Sequence, residues 1–385
     1  MADRDQKKTG SGLALFAICS PGLESFTADE LKNLGVREAN LVYGGVGFSG
    51  SRQTLYKANL HLRTASRILI RLGSFQATKF AELRRKAGRL PWEKYLSPSQ
   101  PVVMRVSCHR SRLIHSQAVE DRVLGAVDDR LGRPVQPVTP RNLESSPAQL
   151  ILVRVANDQC TISMDSSGAL LHQRGYRLST AKAPLRETLA AGMVLASGWD
   201  RRSPFMDPFC GSGTIAIEAA LIARGIPPGS SRRFAFMDWS DFDYALWESL
   251  FAESRPSTGS AIPPIVASDR DKGAVQAALD NARRAGVEGC IAFSRRPISD
   301  IKPPGVCGWV ITNPPYGVRL SRSRDLRDLH ASFGSVLREK CPGWNVTMLC
   351  GNASLQRATG LDFGPARSVT NGGLKVRLVS GRVPG

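Results

Sequence analysis

Long apolar runs are missing from the start of the chain: LALFAIC at residues 13–19 is too short to cross a bilayer. The preceding MADRDQKKTG lacks the charge asymmetry and cleavage pattern of a signal peptide. The expectation is a cytoplasmic protein without a membrane segment. Paired cysteines are missing too. The eight cysteines include no C-x-x-C, so neither a zinc site nor a disulfide framework is indicated, no metal is expected, and the thiols are read as reduced. Histidines number only five, and no repeat of solenoid period is visible. Acidic residues are scarce, 33 against 52 lysines and arginines, which leaves a net charge of +19 and points to a polyanionic partner. The excess is uneven, because residues 51–115 hold 14 Lys and Arg against Glu82 and Glu93, 14 − 2 = +12. That segment is either a solvated basic surface or a footprint for phosphates.

What is present divides into units. A chain of 385 residues exceeds what one growing core sustains, so two or three domains are expected. Residues 12–68 mix a strand at 13–19, a helix at 23–34, a strand near Gly45–Phe48 and a helical LYKANLHLRTASRILIRL, a small α+β unit. Residues 69–166 read as helix, strand VVMRVS, helix, strand LILVRVAND and a hairpin. From 167 to 385 strands alternate with helices, the pattern of a mostly parallel, doubly wound α/β sheet. The aromatic, Pro- and Ser-rich segment 225–263 interrupts that rhythm as an insertion that either covers a site or caps the sheet.

Two motifs carry chemistry. DPFCGSGTIAIEAA follows a short strand ending at Met206 and spaces Gly211, Gly213 and Ala216 as G-x-G-x-x-A at the opening of a helix. Such a loop is either a plain strand-to-helix turn or a ligand cradle. Asp207 suits a cationic amino group and would repel a phosphate. Cys210 has no histidine nearby in sequence to activate it, so it is read as a small wall of the loop. Asp269 ends the strand PIVASD and can accept from ribose hydroxyls, while Asp271 fits the cap of the following helix. TNPPYG at 312–317 ends a further strand. The Asn313 amide oxygen and the Pro314 carbonyl can accept the two hydrogens of an exocyclic amine, with Tyr316 stacked on the base and Pro314–Pro315 holding the acceptors rigid. Asn313 cannot act as a base, so the proton leaves to water or after transfer.

Together with SPGLE, ANLHLRTASRILIRLGSF, PVVMRVSCHRSRLIHS, LHQRGYR, KAPLRETLAA and the late NGGLKVRL, these motifs resemble the bacterial THUMP-domain, class I S-adenosylmethionine-dependent RNA methyltransferases. Those nearest in layout act on guanosine N2 in large-subunit ribosomal RNA. The resemblance, over Leu13 to Leu378, implies a ferredoxin-like domain at 12–68, a THUMP RNA-binding domain at 69–166 and a Rossmann-like methyltransferase domain at 167–385. It implies S-adenosylmethionine as cofactor, held by Asp207, Pro208, Phe209, Cys210, Gly211, Ser212, Gly213 and Thr214, with Asp269 at the ribose and Arg270 and Thr188 as further contacts. Asn313, Pro314, Pro315 and Tyr316 would receive the target base. Pro297 stands where relatives often carry an acid near the adenine, so either Asp300 substitutes or backbone and apolar contacts serve. Ribosomal RNA or a precursor particle would be met by Arg84, Arg85, Lys86, Arg105, His109, Arg110, Arg112 and His115. His109 and His115 are equally compatible with a structural place beside a helix cap. The rival functions are a transfer-RNA guanine methyltransferase, a DNA amino-methyltransferase, and a non-catalytic RNA-binding assembly factor on the same scaffold.

Overall fold

The computed structural model describes residues 12–97, 100–138, 148–177, 185–255, 262–317 and 323–385. The N-terminal part contains β1 (Leu13–Cys19), α1 (Glu24–Asn33), β2 (Ala39–Val42), β3 (Gly45–Gly50), α2 (Arg52–His61), β4 (Ala65–Gln76), α3 (Phe80–Ala87), β5 (Val102–His109), α4 (Ser116–Leu131), β6 (Gln149–Ala156) and β7 (Gln159–Asp165). Then come α5 (Glu187–Ala196), β8 (Phe205–Asp207), α6 (Thr214–Ala223), α7 (Tyr244–Glu253), β9 (Ile265–Asp269), α8 (Lys272–Arg284), β10 (Ile291–Arg295), β11 (Trp309–Thr312), α9 (Ser323–Lys340), β12 (Asn345–Cys350), α10 (Ala353–Ala358), β13 (Arg367–Asn371) and β14 (Leu374–Arg382).

Strands β1 to β7 form one sheet in the order β2-β3-β1-β4-β7-β6-β5. The stretch ASRILIRL, read from sequence as helical, lies in β4. A short apolar run does not distinguish helix from strand by its period, and here pairing decides: β4 is bonded antiparallel to β1 on one side and to β7 on the other. β4 runs through residues 68 and 69, so it joins the two N-terminal units into one ladder. Ile68 and Ile70 of β4 then face the same core as Leu15 of β1 and Met164 of β7.

Described residues 225–255 of the insertion cap the N-terminal sheet rather than their own. Phe236, fully buried, stacks on Tyr56 of α2 with ring centroids 4.4 Å apart, and Trp239 meets Tyr95 edge-on at 5.0 Å. Trp239 Nε1 donates to Gln149 Oε1 at 2.8 Å, and the Phe236 amide to the Ser166 carbonyl at 3.1 Å. Aromatic side chains of one domain thus complete the core of the other. Phe236→Ala should therefore lower stability by about 3–5 kcal/mol. In a urea titration we expect the midpoint to fall and the N-terminal sheet to melt ahead of the catalytic sheet; an unchanged single transition would remove the insertion from this fastening role.

The second sheet has the order β10-β9-β8-β11-β12-β14-β13. β8 is central and earliest, with β9 and β10 laid parallel on one side and β11 and β12 on the other. The order reverses between β8 and β11, the point at which open α/β sheets form a crevice at the carboxyl ends of their strands. Helix α6, TIAIEAALIA, is buried on nearly every side, which explains why it is apolar all round rather than amphipathic.

Candidate active site

The strand FMD is buried throughout and delivers Asp207 to the crevice. Its Oδ1 accepts from Thr312 Oγ1 at 2.6 Å and from the Phe209 amide at 3.3 Å. Thr312 is the last residue of β11, so this bond ties the two motif-bearing strands together across the reversal. Asp207 Oδ2 has no partner although the residue is fully buried. Burial pushes the carboxyl up to about 7, against the opposing hydrogen bond from Thr312.

The loop that follows turns on two glycines with positive φ, Gly211 at 51° and Gly213 at 82°. They do different work. A Cβ on Gly213 would lie 2.9 Å from Ala278 Cβ of α8, so Gly213 lets α6 seat against its neighbour, whereas nothing lies within 4 Å of a Cβ on Gly211 and its backbone borders open space. The Gly211 amide donates to Asp269 Oδ2 at 3.0 Å, and the Asp271 amide to Asp269 Oδ1 at 2.9 Å. Asp271 in turn caps α8 by accepting from the Ala274 amide at 2.9 Å, which leaves Asp269 to the crevice. Asn281 of α8 donates to the Ser212 carbonyl at 3.0 Å. Pro208 in the loop and Thr214 at the start of α6 are buried, and Phe209 packs edge-on against Phe333 at 5.6 Å. Burial holds the Cys210 thiol far above its ordinary range, which removes it as a nucleophile.

Asn313 follows β11 directly, and its Oδ1 is also buried without a partner. Three elements hold the loop behind it. His330 of α9, fully buried, donates from Nε2 to the Pro315 carbonyl at 3.2 Å; burial keeps its pKa low and the ring neutral. Asn371 of β13 donates to the Tyr316 hydroxyl at 2.7 Å. Gly351, after β12, leaves room for Tyr316, since a Cβ there would sit 3.1 Å from Tyr316 Cβ. Sequence reasoning missed Thr312, His330 and Asn371 as parts of the site. His330 had no distinguishing neighbours, while Asn371 opens the NGGLKVRL motif and could have been suspected.

A cavity of about 270 Å³ opens along β9 and β10, lined among others by Ala267, Ser268, Phe293, Ser294, Arg296 and Lys302. Asp300 is exposed and is not among its lining residues; its carboxylate accepts from Ser299 Oγ at 3.3 Å. Arg270 is exposed, with its carbonyl accepting from Arg295 Nε at 3.2 Å. Thr188 is buried in the first turn of α5, which packs on α6. Next to it Glu187, raised to about 7 by burial against the pull of Arg177, pairs with Arg177 at 3.0 Å.

The basic segment divides. Arg84 of α3 is engaged by Asp129 of α4 through two bonds of 2.7 and 2.8 Å, which ties the two helices together, and Lys86 pairs with Glu82 one turn back in α3 at 2.6 Å. Arg85, Arg105, His109, Arg110, Arg112 and His115 are exposed. Arg112 stands 4.0 Å from Asp158, and His115 precedes α4 without a side-chain cap bond. Among the described residues no group of His, Cys, Asp and Glu could hold a metal, and no helix is long and apolar enough to cross a membrane.

A glycine loop and an Asn-Pro-Pro-Tyr loop at neighbouring strand ends, with a ferredoxin-like and THUMP sheet in front, define a class I methyltransferase. The chain belongs to the family described as RMKL-like, methyltransferase domain, matched over residues 174–379; residues 14–69 match the RlmL ferredoxin-like domain and 77–165 the THUMP domain. It is 34% identical over 366 residues to a Synechocystis sp. protein named as an RNA methyltransferase, covering 94% of this chain and 95% of the relative. It is 35% identical over 380 residues to the ribosomal RNA large subunit methyltransferase K/L of Syntrophotalea carbinolica, covering 96% of this chain and 53% of the relative. The chain thus spans about half the length of the K/L enzyme. The solved structure of SMU.472, described as a methyltransferase complexed with SAH, superposes with a TM-score of 0.85 at 30% identity, over 97% of this chain and 98% of that one.

Proposed function

We propose that the protein is an S-adenosylmethionine-dependent RNA methyltransferase that modifies the exocyclic N2 of a guanosine in large-subunit ribosomal RNA. The observation that carries this reading is the pair of orphaned buried oxygens, Asp207 Oδ2 and Asn313 Oδ1, at the ends of two neighbouring strands. A buried polar atom without a partner costs on the order of 1–3 kcal/mol, so each awaits a donor. Asp207 suits an ammonium group, and the open side of Gly211 and the Asp269 carboxylate suit the rest of an aminoacyl nucleoside. The bound cofactor supplies an electrophilic methyl group. The chain supplies position: Asn313 Oδ1 and the Pro314 carbonyl accept the two N–H bonds of the target amine, Tyr316 offers its face to the base, and His330 and Asn371 keep that loop in one geometry. No base is required at Asn313, since the proton leaves the methylated nitrogen to water. Extruding a paired guanine costs a few kcal/mol, so an unpaired guanine in structured RNA is the favoured substrate.

Incubation of the protein with labelled cofactor and RNA from cells lacking it should place the label in N2-methylguanosine of the large-subunit RNA. Label confined to transfer RNA, or to an amine of duplex DNA, would reassign the substrate. No label in any of them would end the enzymatic reading.

A further inference from the structure

One face of the N-terminal sheet lies under helices. On the opposite face, cross-strand register sets two rows side by side. Arg105 of β5 aligns with Leu152 of β6, Ser163 of β7 and Arg71 of β4. In the next row, Ser107 aligns with Arg154, Thr161 and Ser74. Paired residues in a sheet point to the same side, so Arg71, Arg105 and Arg154 share one surface, and all three are exposed. Arg71 and Arg105 are three strand spacings apart, about 14 Å. Neither row contains a carboxylate; between the exposed arginines lie the half-buried Leu152 and Thr161 and the buried Ser163, and Asp165, farther along β7, is buried against Arg67. Arg71 lies over the Phe16 ring, 4.5 Å from its centroid, and is close enough to Arg154 to feel its charge. Like charges facing one another across strands destabilise a sheet unless something neutralises them.

We infer that this sheet face, carrying Arg71, Arg105 and Arg154 with the hydroxyls of Ser74, Ser107 and Thr161, receives the sugar-phosphate backbone of the RNA substrate. Guanidinium forks match phosphate oxygens, and short hydroxyls add donors without crowding a strand laid across a flat sheet. This rests on the RNA reading above and adds Arg71 and Arg154, which lie outside the run around Arg105 and His109 that sequence singled out. An acidic protein segment is the competing occupant.

The test uses the full chain and a large-subunit ribosomal RNA transcript. Arg71→Glu, Arg105→Glu and Arg154→Glu are compared with Arg37→Glu, an exposed charge elsewhere, and with the milder Arg→Gln forms, which keep the comparison valid if a reversal perturbs folding. Affinity is followed over about 50 to 200 mM salt. Each face variant should weaken RNA binding and flatten the log–log salt slope by about one, while Arg37→Glu leaves it unchanged. SAH affinity by calorimetry should match wild type throughout. Face variants that keep the wild-type slope would overturn the proposal, and would favour a protein occupant if wild-type RNA binding is itself intact. A wild-type chain with no RNA affinity would overturn the function and this interface together, and the two failures separate because that one precedes any substitution.

Discussion

Asn313→Ala should leave SAH binding within error of wild type and lower kcat for RNA methylation by about 10²–10³-fold, the loss seen when one preorganised polar group is removed from a reacting centre. The physical basis is location. Asn313 Oδ1 is buried, carries no hydrogen bond within the protein and follows β11, whereas the atoms assigned to the cofactor sit on β8 and β9. In the proposed mechanism, removing the amide deletes one acceptor for the target amine and touches no cofactor contact. Single-turnover methylation together with calorimetric SAH binding decides the matter. Equal loss of both would move Asn313 from the target base to the cofactor.

The second large effect is the pH dependence imposed by Asp207. Burial raises its pKa from 3.8 to about 7 in the folded chain. A carboxyl raised on folding contributes stability while protonated, and that contribution fades as pH climbs from the unfolded value through about 7. Binding of an ammonium group reverses the preference, because it selects the ionised form. Cofactor affinity should therefore rise with pH through this range and be about tenfold weaker at pH 6 than its plateau, where about a tenth of the carboxyl is ionised. Asp207→Asn keeps the oxygen that accepts from Thr312, so the apo fold should melt no earlier than wild type at neutral pH. Its SAH affinity should be about thirty-fold weaker or more, and nearly independent of pH between about 6 and 8. A variant that retained the wild-type profile would show that another group binds the amine.

Much of the site was legible because its chemistry is local. Gly211 and Gly213 adopt a backbone that side chains resist, and Pro314–Pro315 stiffen the turn after a strand; both constraints are written within a few adjacent residues. Asp271 as a helix cap was equally readable, since a cap bonds three residues ahead. β4 was harder, because Ile68 and Ile70 satisfy either period and only β1 and β7 on its flanks choose between them. The insertion posed the same problem at larger scale: its aromatics announced burial without saying against what, and the partner is Tyr56, far back in the chain.

By its sequence alone this chain determined that one strand would lead into Asp207 and a glycine turn, another into an Asn-Pro-Pro-Tyr loop, and that an excess of cations would precede both. Only the folded sheet decided that those strands lie next to each other, that Thr312 reaches Asp207 across 105 residues, and that His330 and Asn371 brace the loop. Turn chemistry acts over a few bonds and leaves a signature in neighbouring residues. Hydrogen bonds between distant segments depend on strand order, which no short window of sequence contains.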